Sequence, residues 1–425
     1  MFPKPAFPHS PPHRILVAQL GAQQHYSIPI ALHQLGWLQQ FYTDFYWSPL
    51  EVRCLQELCQ FKAMGAKVQF GLSRHNSQLD FDRVTRFNWL GVRYRQALHH
   101  ATARLYEYWA HLHYGRRFGQ AIERQGLPDA THLYAFDHGA LALFEAAKSR
   151  SIACILDQRY PAFQEEGLEW QEERRWQGWA IDPCTQFYRS PLFQQWSEVQ
   201  RAEWQLADRI VVPSSYTHRS MVAIAPTLQF KLHIVTPMGN VDAYRLLQQV
   251  RQYRGDRPLR VLFVGRVNLR NGIPDLLTAF QRIDPCWASL TIAGRLCLQP
   301  ERLQPFQNRV TFLGSVPSIH LPQLYRSADV LILPTISDGF GTVISEAMAT
   351  GLPVIATDHC GDLVQHGVNG WRIPIRQPDA IAYAIRYLHH HPDLLVHLSH
   401  GAIATSQTQT LQNYQTHLAQ LLPQP

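Results

Sequence analysis

The 425-residue chain is poor in cysteine. Its seven, at 54, 59, 154, 184, 286, 297 and 360, are odd in number, scattered, and form no Cys-x-x-Cys. That argues against a disulfide framework or a zinc knuckle and leads to the expectation of a reducing, cytoplasmic setting. Long apolar runs are missing too. Nothing approaches the ~18 consecutive residues that a membrane-spanning helix needs. The opening stretch MFPKPAFPHSPPH is proline-rich and has no apolar core of the secretory-signal kind. No Gly-x-Gly-x-x-Gly opens a helix after a strand-like run, and LGAQQH at 20–25 fails the pattern. A dinucleotide-dependent dehydrogenase is therefore disfavoured. Low-complexity tracts and short-period repeats are absent as well.

What is present describes a soluble globular protein: 46% apolar residues, 17% charged, 28 prolines and 24 glycines. The length is comfortable for two domains, each able to bury its own core. Net charge is +7, from 39 basic and 32 acidic side chains. This modest excess favours anionic partners, whether phosphates, an acidic membrane surface or nucleic acid, and does not choose among them.

Strand-like and helix-like segments alternate throughout. In the first half RILVAQL (14–20), HLYAF (132–136), IACIL (152–156), RIVV (209–212) and KLHIV (231–235) read as strands. In the second half VLFVG (261–265), SLTIAG (289–294), VTFLG (310–314), VLILP (330–334) and PVIAT (353–357) follow a cleaner beat. Continuous apolar runs of this kind mark strands covered on both faces, as in a doubly wound parallel sheet. The fold class expected is α/β, with two Rossmann-like domains facing a central cleft. The boundaries read as an N-terminal domain at 14–240, a polar linker at 241–258 and a C-terminal domain at 259–400. A helical tail at 401–425 would pack back on the N-terminal domain.

Two segments carry many aromatics. GVRYRQALHHATARLYEYWAHLHYGRRF (91–118) reads as one helix with a core stripe of Tyr94, Leu98, Ala101, Leu105, Tyr108 and Leu112. Arg93, His100, Arg104, Glu107 and His111 would form its solvated basic face, and contact with an anionic membrane surface is the secondary reading. QEEGLEWQEERRWQGWAIDPCTQFYRSPLFQQW (164–196) holds Trp170, Trp176, Trp179 and Trp196. These rings either pack a helical hairpin on its domain or stack on sugars or lipid headgroups.

The richest stretch is TISDGFGTVISEAMATGLPVIATD, Thr335 to Asp358. A strand ends at Pro334, a loop carries Asp338-Gly339-Phe340-Gly341, and a helix begins near Thr342 and ends before Gly351. A helix N-terminus exposes unsatisfied N–H groups and a positive dipole end, which suit phosphate oxygens. Glu346 lies one turn on, on the same face, and leans toward that end. Its carboxylate can accept two sugar hydroxyls, and Asp338 could hold a second set. The spacing thus suits a nucleotide sugar. It equally fits a capped helix with one solvated glutamate, and spacing alone does not separate the two. Arg266, at the end of the first C-domain strand, adds a planar fork of donors for phosphate.

Taken together, FVGRVNLRNGIPDLLTAF, FLGSVPSIHLPQLYRSADVLILPTISDGFGTVISEAMATGLPVIATD and HGVNGWRIP resemble the retaining nucleotide-sugar glycosyltransferases of family four, which have the GT-B fold. EWQLADRIVVPSSYT (203–217) looks like the last helix and strand of that family's N-domain. By resemblance, Glu346 would bind the donor ribose, and backbone near Val316 would meet the base. Asp338 and the amides of Gly339, Phe340, Gly341 and Thr342 would hold the transferred sugar and the diphosphate. Arg266 would neutralise the diphosphate, and Gly21 would let an N-domain loop close over it. No cofactor beyond the nucleotide-sugar co-substrate and no metal is implied. The acceptor, a glycan or a lipid-linked hydroxyl, would sit on the N-terminal domain. Transfer would retain anomeric configuration, the acceptor hydroxyl approaching from the face that the diphosphate leaves.

Three departures stand out. Asp338 replaces the family's usual Glu. Asn271 stands where the family has Lys, so Arg270 or Arg295 would have to supply that charge. The His that the family often presents after the fourth N-domain strand is matched in position by Phe136, with Asp137 and His138 following, and His138 is the candidate for lining the reaction centre. These changes leave a second reading open, a catalytically impaired homologue that binds sugar nucleotides or glycans. The pair Asp80 and Asp82 invites a metal-dependent transferase, but no strand-like run precedes it. A nucleic-acid binder would need a basic stripe beyond the helical face above.

Overall fold

The computed structural model describes residues 13–58, 74–101, 103–159, 161, 163–239 and 241–422. Most of the proline-rich opening stretch, together with Cys59, Thr102 and the last three residues, lies outside that range.

In chain order the first domain runs β1 (Ile15–Gln19), α1 (Ser27–Gln34), β2 (Leu38–Thr43), α2 (Pro49–Leu58), β3 (Val84–Arg86), α3 (Asn88–His100), α4 (Arg104–Gln125) and β4 (His132–Phe136). It continues with α5 (Leu141–Lys148), β5 (Ala153–Asp157), α6 (Phe163–Arg175), α7 (Thr185–Tyr188), α8 (Pro191–Leu206), β6 (Arg209–Val212), α9 (Ser215–Ile224) and β7 (Leu232–Ile234). The second domain runs α10 (Asp242–Arg245), β8 (Leu259–Val264), α11 (Ile273–Arg282), β9 (Ala288–Ala293), α12 (Pro300–Leu303), β10 (Val310–Gly314) and α13 (Leu321–Ser327). Then come β11 (Val330–Leu333), α14 (Thr342–Ala349), β12 (Val354–Ala356), β13 (Gly370–Arg372), α15 (Pro378–His390), α16 (Pro392–Thr408) and α17 (Leu411–Gln420).

The strands form two sheets, ordered β3-β2-β1-β4-β5-β6-β7 and β10-β9-β8-β11-β12-β13. The strand pairs run parallel, for example β1 with β4 and β8 with β11. β1, β4 and β11 are buried along their whole length, as continuous apolar runs require. Strand order reverses between β1 and β4 in one sheet and between β8 and β11 in the other. Such switch points splay the loops at the strand C-terminal ends and open a crevice there. Two Rossmann-like domains with their crevices facing each other make a GT-B fold.

The segment expected as a single helix over 91–118 is two helices. α3 ends at His100, followed by Ala101 with an extended backbone, and α4 starts at Arg104. The break has no glycine or proline to announce it. Its cause is tertiary: the Arg104 backbone N–H donates to Asp182, and its guanidinium donates to Glu169. The expected solvated face is likewise corrected. Arg93 and His100 are exposed, whereas Arg104, Glu107 and His111 turn into the cleft.

The 241–258 segment lies against the C-terminal core, to which Val241, Tyr244 and Tyr253 belong. Arg251 is only 2% exposed, and its Nη2 donates to the Tyr325 carbonyl and the Thr350 hydroxyl, both at 3.1 Å. At the other end α16 packs into the C-terminal core, while α17 crosses back. Tyr414, Leu418, Leu421 and Leu422 join the N-terminal core, and Gln415 reaches Gln34 on α1 at 3.0 Å.

A second crossing lies in the tryptophan-rich segment. Trp176 and Trp179 pack on the C-terminal core, and Gln299 donates its N–H to the Trp179 carbonyl at 2.7 Å. Glu172, fully buried, accepts from both Arg175 and Arg376, and Arg175 also grips Asp275 at 2.9 Å. This α6 region is thus a strap from one domain to the other.

Candidate functional site

Between the two switch points lies a cavity of about 660 Å³, lined by both domains. Its C-terminal wall is built from the β8–α11 and β11–α14 loops. Gly272 (φ 68°) lets them meet, since a Cβ there would fall 2.0 Å from the Pro334 carbonyl oxygen. Within the first loop, Asn268 accepts the Asn271 N–H at 2.9 Å, and Asn271 Nδ2 donates to the Arg266 carbonyl at 2.8 Å. Asn271 therefore ties the loop and adds no charge. The loop projects Arg266 and Arg270 into the cavity.

In the second loop Asp338 is enclosed by protein yet open to the cavity. Burial raises its carboxyl pKa, against the pull of Arg270 and of the Phe340 N–H at 3.4 Å. Gly341 is the N-cap of α14 and has no side chain to cap it, and Thr342 and Val343 face the cavity. That end of the helix presents its N–H dipoles to the space between the domains. Gly339 serves a different purpose from the ligand approach expected of it. A Cβ there would sit 1.9 Å from the Arg159 carbonyl oxygen, and the Gly339 carbonyl accepts the Ser214 hydroxyl at 2.8 Å. The glycine lets the strand ends of the two domains touch.

The N-terminal wall centres on His138, which follows β4 in a left-handed conformation (φ 62°). Its ring stacks on Trp196 with centroids 3.4 Å apart, and its Nδ1 lies 3.4 Å from Asp137 Oδ2. Its Nε2 is buried without a hydrogen-bond partner among the described residues. Beneath it, Glu203 from α8 accepts the N–H groups of His138, Ala140 and Leu141 at 2.8, 2.9 and 3.1 Å, capping α5 and fixing the turn. Burial pushes the Glu203 carboxyl up to about 8 despite those donors.

Helix α4 brings Glu107 and His111, one turn apart, into the same cavity. Glu107 meets Arg266 in a two-pronged ion pair, with Nη2–Oε1 at 3.0 Å and Nη1–Oε2 at 3.4 Å. Burial pushes the Glu107 carboxyl pKa up, but Arg266, with His111 and Arg104, holds it below the usual range. Desolvation lowers the pKa of His111, whose Nδ1 lies 2.7 Å from the Tyr94 hydroxyl. Arg270 lies 3.8 Å from Glu169, which also accepts the Tyr188 hydroxyl at 2.7 Å.

Of the residues singled out from sequence, the cavity gathers His138, Arg266, Arg270, Asn271, Asp338, Phe340, Gly341 and Thr342. Glu346, Val316, Gly21, Gly339 and Arg295 are not in its lining. Glu346 accepts the Tyr325 hydroxyl at 2.8 Å and is also hydrogen-bonded by Tyr244. Val316 packs on the C-terminal core, and Gly21 (φ 83°) donates its N–H to Asp44 at 2.8 Å. Asp80 and Asp82 are exposed outside the cavity, with Asp80 capping a single turn.

Sequence reasoning missed Arg104, Glu107 and His111, assigned to a solvated face, and also Arg159 and Gln200. A usable signal existed for two pairs: Glu107 with His111 and Trp196 with Gln200 are each at i, i+4, polar residues sharing a helix face with aromatic neighbours.

Residues 258–391 match the family described as glycosyl transferases group 1. Over 137 residues the chain is 36% identical to an uncharacterized glycosyltransferase of Methanocaldococcus jannaschii, a stretch that is 29% of this chain and 34% of that one. The chain spans about a third to a half of the length of the first curated relatives it matches. In solved structures the likeness extends over both domains. The sucrose-phosphate synthase of Thermosynechococcus elongatus superposes with a TM-score of 0.63 at 18% identity, covering 96% of this chain and 98% of that one. Anabaena HepE in complex with UDP-glucose superposes with a TM-score of 0.57 at 15% identity, over the same shares of the two chains. The match to the group 1 glycosyl transferases thus falls on the C-terminal domain, and the two domains together have the GT-B fold.

Proposed function

We propose that the chain transfers a glycosyl group from a nucleoside-diphosphate sugar to a hydroxyl acceptor, a glycan or a lipid-linked saccharide, with retention of configuration and without a metal. The observation that carries this reading is the convergence on one cavity of two arginines, an uncapped helix N-terminus and a carboxylate, Asp338. Guanidinium groups and helix dipoles can stabilise a leaving diphosphate, which is the largest electrostatic demand of the reaction. Asp338 would accept hydroxyls of the transferred sugar, and Glu346 those of the ribose. For Glu346 to do so, its carboxylate must share its lone pairs between a ligand and the two tyrosine hydroxyls. The acceptor would lie against the His138 and Trp196 side, where an aromatic plate and unpaired polar atoms suit a sugar ring. Domain closure would exclude water and limit donor hydrolysis.

Solved relatives lend support, since the Anabaena protein was crystallised with UDP and with UDP-glucose. No helix among the described residues is long and apolar enough to cross a membrane. Action at the inner face of a membrane is accordingly proposed as peripheral contact.

Asn271 favours a second reading, a binding protein with impaired catalysis, because its amide is spent on the Arg266 carbonyl where a lysine would add charge. A panel of UDP-, GDP- and ADP-sugars read by thermal shift, followed by product analysis, separates the two. Binding with turnover that survives EDTA supports the transferase. Binding without turnover on any acceptor supports the impaired homologue, and no binding contradicts both.

A further inference from the structure

Arg266 is the residue on which the donor reading leans for neutralising a diphosphate, yet it already has an anionic partner. That partner is Glu107, from the opposite domain. The geometry is the two-pronged fork that guanidinium makes with either carboxylate or phosphate, at 3.0 and 3.4 Å. The pair spans the cavity itself, since both side chains are among its lining. A second pair repeats the arrangement beside it: Arg270, the other guanidinium of the same loop, faces Glu169 of the N-terminal domain at 3.8 Å.

One guanidinium edge cannot serve two anions at once. We propose that Glu107 is an internal surrogate for the donor's diphosphate: its carboxylate occupies Arg266 in the empty cleft and must be displaced when the nucleotide enters. Glu107 thereby sets donor affinity as a competitor, and not as a ligand of the donor. The inference rests on the nucleotide-sugar reading given above.

Arg266 passes from a carboxylate to a phosphate, and Glu107 is released toward His111 and Arg104, both of which already act on its carboxyl group. The side chains of Arg266 and Glu107 are 55% and 31% exposed, so the pair is partly screened and its rupture is affordable. The intact pair also bridges the two walls of the cleft when no donor is bound.

The test is a titration of UDP, GDP and ADP into the wild-type chain and into Glu107→Gln, Arg266→Gln and the double variant. For whichever nucleotide binds the wild type, Glu107→Gln should tighten binding roughly twofold to fivefold, the range expected for releasing a partly exposed ion pair. Arg266→Gln should weaken it, and in that background Glu107→Gln should have no further effect. Glu123→Gln, an exposed acid at the far end of α4, should leave affinity unchanged. Tightening that persists undiminished without Arg266 would reduce Glu107 to a general repulsive charge and overturn the proposal. Unchanged affinity in Glu107→Gln, with melting temperature preserved, would overturn it too. Failure of the wild type and every variant to bind any of the three nucleotides would overturn the donor reading itself, a result distinct from the other two.

Discussion

Ser215, at the first turn of α9 in the N-terminal domain, donates its backbone N–H and its hydroxyl to Asp362 of the C-terminal domain, at 2.7 and 2.5 Å. A carboxylate from one domain therefore caps a helix of the other. Tyr216 next to it stacks on His359 with centroids 4.1 Å apart, so charge and ring packing act at the same junction. Charge-assisted hydrogen bonds of this kind are worth about 1.5–3 kcal/mol each when intact. Asp362→Ala should therefore shift the ligand-free protein toward an open arrangement. Small-angle scattering should show a larger radius of gyration for the variant without ligand, while far-UV circular dichroism stays the same. An unchanged radius would mean that the junction holds without this cap.

Asp338 should impose an acid limb on activity. Burial raises its carboxyl pKa above the ordinary aspartate range, with Arg270 and backbone N–H groups opposing. As pH falls through that raised value, the carboxylate that would accept sugar hydroxyls is lost, so kcat/KM should fall at a higher pH than an exposed aspartate would give. Asp338→Asn should flatten this limb and lower the plateau by roughly 100-fold, the order of magnitude for removing one preorganised group. Asp338→Glu, which restores the residue usual in resembling enzymes, should keep the limb. A pH–rate profile of the three proteins checks both statements.

Glu203 makes a stability prediction with a definite sign. Its folded-state pKa, about 8, lies above the ordinary carboxyl value of 4.5. Between those values the unfolded chain gives up a proton that the folded chain retains. The stability this group confers is present in full below about pH 4.5 and is lost as pH rises through about 8. The wild-type melting temperature should thus fall more between pH 5 and pH 9 than that of Glu203→Gln. Equal slopes would contradict the buried, proton-holding carboxyl.

Much of the C-terminal domain was legible because its strands are buried on both faces and read as unbroken apolar runs ending in Gly or Pro. β11 (VLIL) and the loop to α14 needed nothing beyond that pattern. The strands overlooked were β2 (LQQFYT), β3 (VTR) and β13 (GWR). β3 and β13 are three-residue edge strands, too short for a period, and β2 has its apolar run interrupted by Gln39, which is exposed, and Gln40, which is half-buried. The cleft wall from α4 was hidden for another reason. Helical periodicity tells which residues share a face, but not whether that face meets water or a second domain; Glu107 meets the second domain and His111 lines the cavity between the two. Gly339 was expected to let the backbone approach a ligand closely, and in the fold it makes a close approach to the other domain. Only the folded chain brings the Arg159 carbonyl against it.

The proposed function requires a nucleoside diphosphate seated between Arg266, Arg270 and the N-terminus of α14. The most direct measurement is the dissociation constant of the preferred nucleotide for the wild type and for the Arg266→Gln/Arg270→Gln double variant, with both melting temperatures recorded. The expected result is a loss of at least tenfold in the variant, a factor that corresponds to about 1.4 kcal/mol. Affinity that survives the loss of both guanidiniums in a folded protein would contradict it.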